Sequence, residues 1–104
     1  MATGCAFAQI SSRGEACNVL LKEAALRHLA AKESPDGYYD CQPESDADSY
    51  IILGLHYRLK SQRSAAGSNL VGWYAVDKSN GQLYEWDMAN QRIGDVVGLR
   101  GKRD

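Results

Sequence analysis

Few residues in this chain have side chains suited to chemistry, and they are scattered. Two histidines, His28 and His56, and three cysteines, Cys5, Cys17 and Cys41, are spread over 104 residues. A histidine acts as a base or a ligand only beside a carboxylate, a thiol or a second ligand. No CxxC or HxxxH spacing provides a metal set, so no metal is expected. No nucleophile elbow, glycine-rich phosphate loop or kinase signature occurs either. His28 falls within the apolar stripe of a helical stretch, which predicts a neutral core-edge histidine bonded to a backbone group. His56 falls beside Arg58 on the second face of a strand, where a partner could reach it. No cofactor is expected. The chain is also short for an enzyme with an enclosed pocket, so it reads as a binding protein and not an enzyme.

The densest chemical feature is a run of acids. Residues 33–48 contain Glu33, Asp36, Asp40, Glu44, Asp46 and Asp48 with no lysine or arginine, in a chain of net charge -1. Near-neutral charge argues against general nucleic-acid binding, which needs a basic field. The acids lack EF-hand spacing. Tyr38 and Tyr39 lie among them, and aromatic anchors flanked by charge suit a protein-docking loop; the plain alternative is a solvated loop. A second loop over 61–69, small and polar, is either a connector or a finger for a partner's cleft. The expected contact set is Tyr38, Tyr39, Asp40, Asp46, Asp48, His56, Arg58, Ser61, Arg63, Ser64, Ser68 and Asn69.

The elements that must position these residues follow from pattern. Residues 15–32, rich in alanine and leucine with no internal glycine or proline, predict a helix capped by Ser12 or Gly14. Cys17, Leu20, Leu21, Ala24, Ala25, His28 and Ala31 share its apolar face. Residues 49–60 alternate as a strand, with Ile51, Leu53, Leu55, Tyr57 and Leu59 inward. Residues 70–88 predict a hairpin around Asn80-Gly81. If Asp77 opposes Gln82, Trp73 faces Trp86, Ala75 faces Tyr84 and Val71 faces Met88, giving an aromatic face expected to lie under the helix. The tail from Ala89 could add a short strand. The fold expected is α+β, one long N-terminal helix on a three- to four-stranded antiparallel sheet.

The first nine residues bear on location. Ala6-Phe7-Ala8 has the small-x-small pattern of signal-peptidase sites, and Ala2-Thr3-Gly4-Cys5 is similar to the end of a lipobox. Both readings place the folded part in the periplasm, the second with a lipid anchor on Cys5. Residues 1–8 are then a processing remnant, and 9–104 form a single domain. No apolar run approaches the roughly 18 residues of a membrane span. Cys17, at the start of the helix, and Cys41, placed in a loop before the first strand, are expected to pair in an oxidising compartment.

The segment from Trp73 to Tyr84, Trp-Tyr-Ala-Val-Asp-Lys-Ser-Asn-Gly-Gln-Leu-Tyr, is similar to the terminal hairpin of PepSY-like domains, with Asn80 in place of the usual threonine. Size, export and the Cys17/Cys41 pair also resemble the small periplasmic immunity proteins that protect bacteria from type VI secreted peptidoglycan amidases. That resemblance implies an inhibitor that occludes the cleft of a secreted hydrolase without turnover. The alternative is a PepSY- or cystatin-like envelope domain that binds a small ligand or assembly partner through an accessible Trp73/Trp86 face. A homodimer through a strand edge or that aromatic face is a further option.

Overall fold

A computed structural model of the chain describes residues 10–60 and 69–97. One helix, α1 (Arg13–Arg27), precedes five strands: β1 (Gly37–Ala47), β2 (Tyr50–Leu59), β3 (Leu70–Asp77), β4 (Leu83–Asp87) and β5 (Arg92–Val96). The strands form one antiparallel meander in the order β1-β2-β3-β4-β5. The α+β class is as expected, and the sheet is larger than expected.

The helix begins at a reciprocal cap. Ser12 Oγ accepts from Glu15 N at 3.1 Å, while Glu15 Oε1 accepts from Ser11 N at 2.7 Å, satisfying donors that the first turn leaves open. It ends at Arg27, five residues before the expected limit, because His28 takes the left-handed conformation (φ 53°) and its N–H bonds back to Ala24. Residues 29–32 would favour a helix by composition. Instead, tyrosine hydroxyls from the sheet hold the segment from 28 to 34 in a strap, so tertiary contacts override propensity.

Ala16, Leu20 and Ala24 are fully buried on the sheet against Ile51, Leu53, Leu55, Tyr74, Val76 and Leu83. The small alanines let α1 approach closely; Leu20 is the large side chain that enters the core. Ala25 and His28, expected on this face, are exposed. The Cys17–Cys41 disulfide joins α1 to β1 across a Cα–Cα distance of 5.7 Å.

The stretch read as an acidic loop is β1. Cys41 therefore sits within a strand, not before one. β1 is an edge strand with a register shift at Pro43/Ser45, and its charges and proline are devices that suit an edge but obscure a strand pattern. β2 lies inside the sheet and is buried on both faces from Ile51 to Leu55.

The β3–β4 hairpin has the expected register: Ala75 pairs with Tyr84 and Val76 with Leu83, and Asp77 N donates to Gln82 O at 2.9 Å. Gly81 takes the positive φ (76°) that the turn requires. The aromatic face, however, does not lie under the helix. Ile52, Ala75 and Trp86 form a second small core, flanked by Tyr50, Trp73, Met88 and Ile93. Tyr74, Val76 and Leu83, on the opposite face, meet α1. Val71 and Met88 also part company, Val71 joining the helix-side cluster and Met88 the other. A bulge in the β2–β3 pairing between Leu55 and His56 inserts an extra β3 residue at Val71 and reverses its facing.

Candidate functional site

Strand period decides which expected contact residues meet. Tyr38 pairs with Arg58 and Asp40 with His56. Partners directly across an antiparallel ladder share a face, so these four form one patch on the side of the sheet away from α1. The Arg58 guanidinium donates to Asp40 Oδ2 at 2.8 Å. Tyr38 is 43% exposed. Behind the patch, the Trp73 ring lies over Gly54, where a Cβ would sit 2.9 Å from Trp73 Cζ3. Tyr50 and Tyr84 meet edge to face farther along the same surface, with centroids 6.0 Å apart. Trp86 is 9% exposed, and its buried indole N–H has no acceptor among the described residues. Trp86 is therefore a core residue of the second cluster, and Trp73 is half-buried.

The remaining expected residues lie elsewhere. Tyr39 faces α1 and is tied down: its hydroxyl accepts from Ala30 N at 3.0 Å and donates to Glu33 Oε2. Burial, then the Glu33 bond, raises its pKa. Its ring meets Tyr57 edge to face at 5.0 Å. The Tyr57 hydroxyl accepts from Ser34 N at 2.8 Å and donates to Ser34 O at 3.1 Å. Two tyrosines from adjacent strands thus fasten the strap.

His28 is exposed and bonds to a carboxylate, not to a backbone group: Nδ1 lies 2.9 Å from Glu33 Oε1. The Tyr39 hydroxyl and then His28 hold the Glu33 carboxyl below the usual glutamate range. This pairing escapes sequence reading because it depends on the helix ending at His28.

Asp46 sits near the other end of β1, eight residues or roughly 26 Å of strand from Tyr38. Arg13 and Lys78 bracket it at 3.0 and 3.2 Å, and their hydrogen bonds lower its pKa. Asp48 occupies the β1–β2 turn at φ 54°, where its carbonyl accepts from Lys78 Nζ at 3.1 Å. The acidic run is thus partly neutralised by the fold. The Asn69 carbonyl accepts from Tyr57 N at 2.9 Å. Ser61, Arg63, Ser64 and Ser68 lie outside the described residues, as does Cys5.

Among the described residues, no three His, Cys, Asp or Glu side chains are grouped to hold a metal ion, and no helix is long and apolar enough to cross a membrane. The geometry gathers a mixed patch of aromatic, cationic and acidic groups on one face of the sheet. Comparison with protein-family models, curated proteins and solved structures finds no match for this chain.

Proposed function

We propose that this chain is an exported protein-binding module of the inhibitor or immunity type, which docks on a secreted cell-wall hydrolase and occludes it without turnover. The observation that carries the reading is the gathering of Tyr38, Asp40, His56 and Arg58 on one sheet face. An aromatic anchor beside a charge pair is the composition that concentrates binding energy at protein interfaces. A backbone held by ladder hydrogen bonds presents it with little ordering cost. The disulfide supports a location in an oxidising compartment, in keeping with export to the periplasm.

The test is titration calorimetry against the protein encoded beside this chain, with any cell-wall hydrolysis by that protein followed in parallel. Nanomolar binding that abolishes hydrolysis is expected. Tyr38→Ala or Arg58→Glu weakens binding at least tenfold, about 1.4 kcal/mol. Absence of binding, or binding indifferent to both substitutions, refutes the reading.

A further inference from the structure

A cleft of about 410 Å³ lies beyond the C-terminal end of α1, between the strap residues Leu29 to Lys32 and the β2–β3 surface formed by Tyr57, Leu70 and Val71. It is on the opposite side of the sheet from the Tyr38/Arg58 patch: Leu29 and Val71 also pack against the helix-side core. Its size is within the range of small-ligand sites.

The lining has a definite chemistry. Leu29, Val71 and the Tyr57 ring supply the apolar part of a mixed polar and apolar lining, while Leu70, which pairs with His56, turns its side chain to the other face. The lining's side-chain hydroxyl is committed, since Tyr57 bonds Ser34 in both directions. The Asn69 carbonyl is also engaged by Tyr57 N. Lys32 is the sole charged residue of the lining, and among the described residues it forms no ion pair. A lysine beside a partly apolar cleft suits a ligand with an apolar body and one negative end.

The strap holds this geometry. Ala30 N is anchored on the Tyr39 hydroxyl, and Ser34 on Tyr57, so both ends of the wall containing Lys32 are fixed to the sheet. A wall held in place before a ligand arrives lowers the ordering cost of binding.

We propose that this cleft binds a small amphipathic carboxylate, its hydrocarbon body on Leu29, Val71 and the Tyr57 ring and its carboxylate at Lys32. The inference is independent of the inhibitor reading, since the two sites occupy opposite faces and either can fail alone.

The test is an amide-resolved NMR titration with sodium decanoate, kept below the concentration at which decanoate self-associates, on the wild type and on Lys32→Glu. Saturable shifts confined to the amides from Leu29 to Lys32 and around Leu70 and Val71 are expected. Reversing the charge weakens binding about tenfold, and decyltrimethylammonium, with the same tail and opposite charge, does not compete. Lys32 is exposed, so the variant retains the wild-type spectrum elsewhere. Shifts centred on Trp73 and Trp86, affinity unchanged in Lys32→Glu, or equal binding of the cationic amphiphile would each overturn the proposal.

Discussion

Breaking the Cys17–Cys41 bond is the perturbation whose size follows most directly from the structure. The cysteines are 24 residues apart in sequence. In the chain-entropy model, closing a loop of that length restricts the unfolded chain by about 11.6 cal/mol/K, or about 3.4 kcal/mol at 25 °C. A domain of this class is stable by roughly 5–15 kcal/mol, so the bond carries a large share. With a urea m-value of about 1–1.5 kcal/mol/M, the midpoint falls by about 2–3 M, and the melting temperature falls by about 15–25 °C. Both cysteines are half-buried against the helix-side core, so replacement by alanine adds a small packing loss. Reduction of the wild type isolates the cross-link itself. Urea unfolding followed by far-ultraviolet circular dichroism, for the oxidised, reduced and Cys17→Ala/Cys41→Ala forms, gives the comparison. A midpoint shift below about 0.5 M in both altered forms would refute the reasoning. It would mean that α1 and β1 are already associated in the unfolded ensemble, leaving the bond little entropy to remove.

Leu20→Ala removes the large buried side chain of α1 and costs about 2–5 kcal/mol in chemical denaturation, without loss of the sheet signal. Gly54→Ala pushes a methyl group into the Trp73 ring; a loss of about 1–3 kcal/mol with altered tryptophan fluorescence is expected, and Trp73→Ala in the same background recovers part of it. The Glu33 carboxyl is held below its ordinary range by Tyr39 and His28. A depressed folded pKa stabilises above the unfolded value and is lost as pH falls through the folded one. Glu33→Gln therefore flattens the acid limb of the stability curve, and hydrogen exchange of the strap amides becomes less dependent on pH below the glutamate range.

Sequence patterns revealed the elements that are hydrophobically periodic. α1 has a burial repeat at Ala16, Leu20 and Ala24, and the hairpin is marked by the positive-φ turn at Gly81. The helix terminus was not legible, because Leu29 to Lys32 favour a helix locally and are diverted by the hydroxyls of Tyr39, nine positions from Ala30, and Tyr57, 23 positions from Ser34. β1 was hidden by its own edge-protecting composition. The side of the sheet occupied by the Trp73/Trp86 face was ambiguous for a different reason. β2 is apolar on both faces, so alternation fixes which residues share a side but not which side the helix takes. The candidate patch was half legible: its members were named from type, but only the β1–β2 register brings four of them together and turns Tyr39 away.

That register also separates two roles within the acidic run, and substitution at Asp46 tells them apart. Asp46 is the shared acceptor of Arg13, at the start of α1, and Lys78, in the β3–β4 turn. Asp46→Lys places a third cation where two already converge. The direct effect therefore falls on the fold, at the junction of α1, β1 and the hairpin turn. The perturbation is exposed and screened, so the loss of stability shrinks as salt rises beyond physiological strength. Asp40 sits on the patch, and its Arg58 partner is on the same face. If the patch is the docking surface, Asp46→Lys lowers the unfolding midpoint at low salt and leaves the partner's dissociation rate unchanged, whereas Arg58→Glu raises that rate and also lowers the midpoint, because Asp40 then faces a second carboxylate. Measuring both quantities for both variants is decisive: a dissociation rate that follows Asp46 and ignores Arg58 would move the interface to the opposite end of β1, where the carboxylates would have to exchange their internal cations for those of the partner.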